Sequence, residues 1–181
     1  MSLNLLTPLA ALAFVTAATA IAAAPAHEQH ASHWAYSGAA GPGHWATIDA
    51  ANVACGIGRN QSPIDLANFI EADLGALGLD YQPAAAGILN NGHAIQVGYA
   101  AGSSLTIEGR SFELKQFHFH SPSENTVLGK HFPLEAHLVH QDTDGNLAVV
   151  AVMFEEGAEN AFLDTLWAAV PAEVGTEGDL P

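Results

Sequence analysis

The segment from Leu114 to Asn125, LKQFHFHSPSEN, places two histidines one residue apart, each preceded by a phenylalanine. Side chains alternate between the two faces of a β-strand, so Gln116, His118 and His120 would share one face. The two phenylalanines would then lie on the opposite face, where they can pack into a hydrophobic core. This alternation predicts a strand, but by itself it leaves two interpretations open: a pair of core histidines or part of a metal site.

A second segment, PLEAHLVHQ at 133–141, favours the metal site. On a strand, Glu135 and His137 would share one face. The ten residues 121–130 and a short lead-in allow the chain to turn back, so an antiparallel neighbour could bring His137 beside the first two histidines. Three neutral histidine nitrogens on a rigid sheet, with a fourth position left open, describe a catalytic zinc site. The pattern therefore predicts the metal ligands His118, His120 and His137.

Each predicted ligand strand also carries a polar side chain that can support a metal-binding histidine. Such a histidine is held through its other ring nitrogen, which fixes its tautomer and orientation. Gln116 and Glu135 each precede a predicted ligand by two residues and share its face. Either side chain could hold the histidine that follows it. His140, in contrast, alternates to the face opposite His137, and we interpret it as a core histidine.

Length and charge limit the possible functions. The chain has 181 residues, 49% of them hydrophobic, which fits one domain. Its formal net charge is −15, with 19 acidic against four basic residues. Proteins that bind nucleic acids need clustered Lys and Arg to displace counterions, so we exclude a nucleic-acid partner. Ten histidines against four Lys plus Arg direct attention to metals instead.

The first 26 residues contain no charged side chain and end in an A-x-A sequence, Ala24 to Ala26. An apolar segment that closes on small residues is typical of a cleaved signal peptide. A membrane anchor is the alternative, because no Lys or Arg precedes the apolar run, although a proline and several threonines weaken a span. We expect a signal peptide at 1–26, one domain at 27–181, and an exported protein, periplasmic or secreted, without a stable membrane span after cleavage.

From about residue 88 onward, short β-rich runs alternate with turn signals. The predicted strands are AIQVGYA, SSLTIEG, SFELKQFHFH, PLEAHLVHQ and NLAVVAVMFEEG. Asp144-Gly145 predicts a hairpin turn between the last two. A helix is predicted in AENAFLDTLWAAVP, where large apolar residues recur at helical spacing before Pro171. We expect the aromatic segment HWAYSGAAGPGHW (33–45) to be an irregular lead-in, and the residues after Pro171 to trail off.

Several motifs, in their order along the chain, resemble the exported bacterial type of α-class carbonic anhydrase. QFHFHSPSEN and GKHFPLEAHLVH resemble the two strands that carry the zinc histidines of that family. NQSPID at 60–65, NNGHAIQV at 90–97 and the aromatic segment at 33–45 resemble three further signatures, and DGNLAVVAVMFEEG resembles the next strand. The resemblance implies a mostly β fold, a large twisted and mainly antiparallel sheet with a few short helices.

The resemblance also implies roles for individual residues. The three histidines would bind zinc, with Gln116 and Glu135 each holding the ligand two residues further on. His93 would be the proton shuttle, and Glu124 would orient a threonine that in turn orients the zinc-bound hydroxide. The side chains expected to order active-site water or to line the substrate pocket are Tyr36, Asn91, Gln96, Val139 and Val149.

The implied activity is the zinc-dependent, reversible hydration of carbon dioxide to bicarbonate and a proton by a zinc-bound hydroxide. Zinc lowers the pKa of its bound water to about 7, so hydroxide forms at neutral pH. A histidine with a pKa near about 6.5 is suited to carry the released proton away. The expected cofactor is Zn2+ and the expected partner is a small molecule, carbon dioxide or bicarbonate, while the oligomeric state stays open.

The sequence departs from the family in two respects. Asn125 stands where the family usually has histidine, although an asparagine can still donate hydrogen bonds. The family continues through a Leu-Thr-Thr-Pro-Pro segment that this sequence lacks, so the threonine partner of Glu124 and the disulfide partner of Cys55 would lie outside the chain. We therefore expect a domain that is incomplete at its C-terminus, and a non-catalytic zinc-binding protein of the same family stays an alternative.

A cupin metal site is a further alternative, because His118-x-His120-x3-Glu124 fits the core of the first cupin motif. That motif also expects glycines where this sequence has Phe112 and His131, which argues against a cupin.

Overall fold

A computed structural model of the chain describes residues 34–180. These residues form two compact units, one ending at Gly58 and the other beginning at Arg59. The predicted signal peptide at 1–26 lies outside the described residues, and the domain boundaries stay predictions. None of the helices within 34–180 is both long and apolar enough to cross a membrane.

The first unit consists of short helical turns and an aromatic cluster. It contains 3-10 turns at Gly38–Ala40, Pro42–His44 and Ala50–Asn52, and two one-turn helices, α1 (Trp45–Ile48) and α2 (Ala54–Ile57).

The rings of Trp34, Tyr36 and Trp45 meet edge to face with centroids 5.3 to 6.0 Å apart. The expected aromatic anchor is therefore present. The expected irregular chain is only partly confirmed, because two 3-10 turns lie within this segment and Pro42 starts the second of them.

The second unit is built on an eight-stranded sheet with one helix and a separate parallel pair, β1 with β7. In chain order its elements are β1 (Asp65–Leu66), β2 (Gly78–Asp80), β3 (Ala85–Asn90), β4 (Ile95–Tyr99), β5 (Ser104–Ile107), β6 (Arg110–His120), β7 (Thr126–Val127), β8 (Leu134–Gln141), β9 (Leu147–Phe154), α3 (Ala161–Ala169) and β10 (Thr176–Gly178).

The long strand β6 organises the sheet. On one side, its residues 116–119 pair with β4 and its residues 110–113 pair with β5, and on the other side it pairs with β8. The remaining strands extend the sheet through β4 to β3 and β10, through β5 to β2, and through β8 to β9. Every pairing in this sheet is antiparallel. The predicted mostly β fold with a mainly antiparallel sheet and a few short helices is confirmed.

The phenylalanine face of β6 carries the hydrophobic core. Phe117 and Phe119 are buried in one cluster with Leu166 of α3, and each of the two rings lies close to a ring of that helix or its start. Helix α3 begins where Asn160 accepts the backbone N–H groups of the next turn. Burying one leucine side chain contributes about 1.5–3 kcal/mol, so this face holds the helix against the sheet.

The residues after Pro171 do not trail off, and that prediction was wrong. Residues 176–178 form β10, with Glu177 opposite Leu89 of β3. A Cβ on Gly178 would lie 3.0 Å from the carbonyl oxygen of Ala169, so the strand can approach the end of α3 because this residue is glycine. The Thr-Glu-Gly segment shows no hydrophobic alternation. The strand forms through backbone pairing, which side-chain patterns do not reveal.

Candidate metal centre

Strand pairing brings the three predicted histidine ligands together. His118 of β6 lies directly opposite His137 of β8, and His120 follows on the same face of β6. The ring centroids are 4.8 Å apart for His118 and His120, 5.3 Å for His118 and His137, and 4.8 Å for His120 and His137. Each ring offers one nitrogen, and these nitrogens lie within 4.8 Å of one another. Antiparallel register therefore creates the cluster from two separate segments.

His118 is held in a defined tautomer by Gln116. Its Nδ1 lies 2.9 Å from Oε1 of Gln116. An amide oxygen only accepts, so Nδ1 carries the proton and Nε2 retains the lone pair that a metal needs. Burial, together with the neighbouring His120 and His137, lowers the pKa of His118 to about 4. The ring is therefore neutral at pH 7, the form in which histidine binds metals.

Glu135 is a fully buried carboxylate next to His137. Its Oε1 accepts from the Asn125 side chain at 2.7 Å, and its Oε2 accepts from the backbone N–H groups of Glu124 at 2.8 Å and Asn125 at 3.0 Å. Burial alone would raise the pKa of Glu135, but these hydrogen bonds and His137 lower it below its usual range. Oε1 also lies 3.2 Å from His137 Nε2, without the geometry of a hydrogen bond.

Glu124 directs its carboxylate toward the histidine cluster. Its Oε2 lies 3.2 Å from His120 Nε2 and 3.7 Å from His137 Nδ1. The pKa of His120 is lowered, mainly by burial, although Glu124 opposes that shift. The chain reverses direction after β6, and this reversal places Glu124 beside His120 at the end of that strand.

Three of the predicted pocket residues, Gln96, Val139 and Val149, lie on sheet strands next to the histidines. Gln96 of β4 lies opposite His118. Val139 of β8 lies opposite Gln116 on one side and opposite Val149 of β9 on the other. Val149 is 52% exposed, so an apolar surface borders the cluster on the β9 side.

Two predicted residues occupy the turn between β3 and β4. Asn91 accepts the backbone N–H groups of His93 and Ala94 through Oδ1, at 2.9 and 2.7 Å. His93 is half-buried and lines a cavity of about 360 Å³ with Phe119 and Trp167 among others. The Asn91 side chain therefore shapes the turn that presents His93. Its expected contact with active-site water and the shuttle role of His93 stay predictions.

Tyr36 and Cys55 belong to the first unit. Tyr36 is 46% exposed and packs in the aromatic cluster with Trp34 and Trp45. Cys55 is the single cysteine of the sequence, and its exposed thiol forms no disulfide within the chain. The role of Tyr36 in ordering water and the disulfide of Cys55 with an external partner stay predictions.

Asn125 is the supporting residue that the sequence analysis underestimated. Its Nδ2 donates to Glu135, and its Oδ1 accepts the backbone N–H of Ile64 at 2.8 Å. Next to it, the buried Ser123 donates to the Asn125 carbonyl oxygen and accepts from the Phe132 backbone N–H. The sequence carried a signal for this supporting role, because Asn125 keeps a side-chain hydrogen-bond donor beside Glu124 where the family usually has histidine. Which group accepts that hydrogen bond could not be predicted without the fold.

The opposite face of β8 carries His140, which is a core histidine as predicted. It is fully buried, its Nε2 lies 2.9 Å from the Tyr81 hydroxyl, and its Nδ1 lies 3.2 Å from the Ala148 carbonyl oxygen. A carbonyl only accepts, so Nδ1 carries the proton and Nε2 accepts from Tyr81. His140 is thus separated from the cluster by the sheet.

The donor set of the cluster fits zinc. Neutral imidazole nitrogens are usual zinc ligands, and three protein ligands with an accessible fourth position are typical of catalytic zinc sites. Gln116 and Glu135 stand beside two of the three rings, where supporting groups of metal-binding histidines are found. The roles of the individual residues toward the metal stay predictions.

Comparisons with known proteins point to one family. The family model for eukaryotic-type carbonic anhydrases matches residues 40–177. A carbonic anhydrase of Pectobacterium atrosepticum is 43% identical over 148 residues, which cover 82% of this chain and 61% of that protein. A carbonic anhydrase of Klebsiella pneumoniae is 45% identical over 158 residues, which cover 83% of this chain and 64% of that protein.

A solved structure shows the same similarity in three dimensions. The α-carbonic anhydrase of Thermovibrio ammonificans, in complex with the inhibitor sulfanilamide, superposes with a TM-score of 0.79 at 44% identity. The superposition covers 82% of this chain and 67% of that one. This chain thus spans 61% to 64% of the length of the two bacterial relatives described above.

Proposed function

The chain belongs to the eukaryotic-type, or α-class, carbonic anhydrase family, and from this premise we propose that it catalyses the reversible hydration of carbon dioxide to bicarbonate at a zinc ion. The observation that carries the proposal is the convergence of three histidine nitrogens within 4.8 Å on one face of β6 and β8. The zinc ligands in this proposal are His118, His120 and His137.

We assign a role to each residue from its contacts. Zinc, when bound, lowers the pKa of water to about 7 and so supplies hydroxide to attack carbon dioxide at neutral pH. Gln116 fixes the tautomer of His118 through its 2.9 Å contact. Glu135 lies 3.2 Å from His137 Nε2, where a carboxylate favours a proton on that nitrogen and leaves Nδ1 for the metal.

We propose that the substrate uses the histidine face and that the proton leaves by way of the turn between β3 and β4. Carbon dioxide is small and apolar, and the neighbouring Val139 and Val149 offer an apolar surface beside the histidines. Gln96 opposite His118 and the exposed Asn91 are the polar side chains proposed to order water. His93 on the turn between β3 and β4 is the proposed proton relay, since an imidazole exchanges protons near neutral pH. Tyr36 of the first unit is also proposed to order active-site water.

We also propose that the protein is exported to the periplasm or secreted. The support is the uncharged, apolar stretch at 1–26 with its A-x-A end. A single cysteine, Cys55, with an exposed side chain suits a disulfide to a cysteine outside this sequence, which an oxidising compartment permits.

The experiment that tests the proposed function is carbon dioxide hydration by the purified 181-residue chain, followed by stopped flow with a pH indicator. We expect one zinc per chain and a hydration rate above background that a chelator removes and that added zinc restores. Because the Thermovibrio relative binds sulfanilamide, that inhibitor is expected to suppress the rate as well. Hydration that persists after complete removal of zinc would contradict the proposal.

A second candidate function is zinc binding without turnover. The observation that favours it is the carboxylate of Glu124, which lies 3.2 Å from His120 Nε2, close to where catalysis needs an open metal position. Stoichiometric zinc binding together with background hydration rates would support this second candidate. Zinc-dependent hydration would exclude it.

A further inference from the structure

We propose that Asn90 is a positioning residue for proton transfer, because its side chain ties the turn that carries His93 to the segment that follows α3. The inference rests on the proposed function, in which His93 is the proton relay. It assigns a role to a residue outside the histidine cluster, and it gives the short strand β10 a purpose in holding that turn.

The turn between β3 and β4 lies at the end of β6 that carries His120. Strand β4 pairs with β6 so that Ile95 is opposite Phe119. Two residues beyond this pair, the same antiparallel register would place His93 beside Ser121, and these two residues line the same cavity. The proposed relay thus lies beside the residue that follows a proposed zinc ligand.

The surroundings of His93 leave its ring room to move, so the backbone of the turn has to set where the imidazole lies. The half-buried ring borders a cavity of about 360 Å³ that Trp167 of α3 also lines. A volume of this size holds several water molecules, each of which occupies about 30 Å³ in the liquid. Catalytic groups are sensitive to position, since a displacement of about 1 Å can cost about 100-fold in rate. A relay on this turn therefore requires a fixed turn.

Asn90 is the last residue of β3, and both ends of its side-chain amide form hydrogen bonds. Oδ1 accepts the Gly92 backbone N–H at 3.1 Å, which closes the start of the turn. Nδ2 donates to the Pro171 carbonyl oxygen at 3.1 Å, two residues after α3 ends at Ala169. One side chain therefore joins the turn to a segment 81 residues further along the chain.

The segment that follows α3 is itself held against the turn. The Gly175 N–H donates to the Asn90 backbone carbonyl oxygen at 2.7 Å, and Thr176 begins β10 opposite Asn90. A Cβ on Gly92 would lie 2.8 Å from Val174 Cγ1, so the close approach of the two segments depends on this glycine. Gly92 also has a φ of +87°, which glycine adopts without steric cost.

Asn91 shapes the turn from within, whereas Asn90 fixes the turn to its surroundings. The bonds from the N–H groups of His93 and Ala94 to Asn91 stay inside the turn and would move with it. The Nδ2 bond of Asn90 instead reaches another part of the fold. Losing this bond is expected to leave the turn formed but displaced, which slows proton transfer and leaves the carbon dioxide surface unchanged.

The test compares carbon dioxide hydration by the wild type, Asn90→Ser and the control Asn146→Ser. A serine hydroxyl can still accept the Gly92 N–H, but it is too short to reach the Pro171 carbonyl oxygen. Asn146 lies in the exposed turn between β8 and β9, where its Nδ2 donates to Asp142, and it provides the same chemical change away from His93.

The expected result is a loss in kcat alone. Proton transfer by a positioned side chain contributes about 10²–10⁴-fold, so we expect Asn90→Ser to lower kcat by about 10-fold. The ratio kcat/KM is expected to stay unchanged, because attack on carbon dioxide precedes release of the proton. Asn146→Ser is expected to match the wild type in both quantities.

A general structural defect would lower activity whether or not His93 is present, so Asn90→Ser is also made in the His93→Ala background. If Asn90 acts through His93, the second substitution has no further effect on kcat there. Added imidazole, which accepts the proton from solution, is expected to raise kcat of both single variants toward the wild type. An equal loss with and without His93, or an unchanged kcat in Asn90→Ser, would overturn the inference and leave zinc-dependent hydration intact.

Amide hydrogen exchange gives a readout that does not depend on turnover. In Asn90→Ser we expect the Gly175 N–H to exchange about 5-fold faster, as for the loss of one hydrogen bond, while β6 and β8 keep their protection. Unchanged exchange at Gly175 would show that the Asn90 side chain does not hold the segment, and would overturn the inference.

A second variant covers the case in which Asn90→Ser fails to fold. Asn90→Asp keeps the size of the side chain and its acceptor for the Gly92 N–H but loses the donor to Pro171, and it is expected to show the same loss in kcat and the same faster exchange. A His93→Ala variant with the kcat of the wild type would overturn the relay and this inference with it. A wild-type chain without zinc-dependent hydration would overturn the proposed function as well, an outcome distinct from the others.

Discussion

His118 of β6 and His137 of β8 are direct cross-strand partners, with ring centroids 5.3 Å apart. The pairing matters because a register slip of one residue would turn every side chain of β8 to the other face and place Leu138 or Ala136 opposite His118. The histidine cluster therefore depends on the register of two strands, and the buried phenylalanine face of β6 helps to hold that register. Core packing and the proposed metal binding are thus coupled through this one strand.

Replacing a proposed ligand is expected to abolish stoichiometric zinc binding. In His137→Ala the site retains two histidines from one strand, and we expect the zinc affinity to fall by more than about 100-fold, beyond the effect of losing a supporting group. Zinc content after gel filtration and chelator competition would measure the loss. The matched control is His44→Ala, an exposed histidine of the first unit, which is expected to retain one zinc per chain. Equal zinc content in both variants would contradict the assignment.

Asn125→Ala is expected to destabilise the fold and loosen the metal site. The substitution removes a donor from the buried Glu135 carboxylate and an acceptor from the Ile64 N–H. Glu135 is fully buried, and a buried group left without a partner costs about 1–3 kcal/mol, so the free energy of unfolding is expected to fall by about that amount. Urea unfolding of the zinc-free chain would measure it.

A rescue variant distinguishes this hydrogen bond from a general packing effect at the same position. Asn125→His restores a side-chain donor toward Glu135, and we expect it to recover part of the lost stability and of the zinc affinity. If the histidine variant were no more stable than Asn125→Ala, the hydrogen bond to Glu135 would not be the cause.

Tyr81→Phe tests the histidine on the opposite face of the sheet. Loss of the hydroxyl leaves Nε2 of the buried His140 without its 2.9 Å partner, and we expect a loss of about 1–3 kcal/mol in unfolding free energy with no change in zinc affinity. Tyr99→Phe is the matched control, because its hydroxyl donates to the exposed Gln82 carbonyl oxygen, which water can satisfy. Similar losses in the two variants would argue against a structural role for the Tyr81 to His140 contact.

His140 is also expected to make stability depend on pH. Burial lowers the pKa of His140, although the carbonyl oxygens of Ala148 and Leu138 oppose the shift. Below a pH of about 6.5 the unfolded chain therefore binds a proton at this residue that the folded chain does not, so the free energy of unfolding rises with pH up to that value and then levels off.

The measurement is urea unfolding of the zinc-free wild type and of His140→Gln between pH 5 and 8. His118 and His120 titrate in the same direction in both proteins, so the difference between the two curves isolates His140. We expect the advantage of the wild type to shrink as the pH falls below about 6.5. Parallel curves for the two proteins would exclude the effect.

Local patterns predicted five of the ten strands that the structure describes in the second unit, together with its helix, and missed the short strands β1, β2 and β7 as well as β3. Alternation in QFHFH and EAHLV correctly separated the core phenylalanines from the histidines, and the strands and the helix near residue 166 form where spacing and turn residues indicated. Predictions failed where structure is built without such a pattern. The helical turns at 38–57 close through local hydrogen bonds around glycine and proline, and β10 forms by backbone pairing of a polar tripeptide with β3.

By itself, the sequence determined which side chains share a face and therefore which histidines could form a cluster, because strand alternation is a local property of the chain. Only the tertiary structure decided that His137 lies opposite His118, that Asn125 donates to Glu135, and that the Glu124 carboxylate lies 3.2 Å from His120 Nε2. These relationships are distances between segments separated along the chain. They depend on register and on an anchored turn, which arise only when the strands pack together.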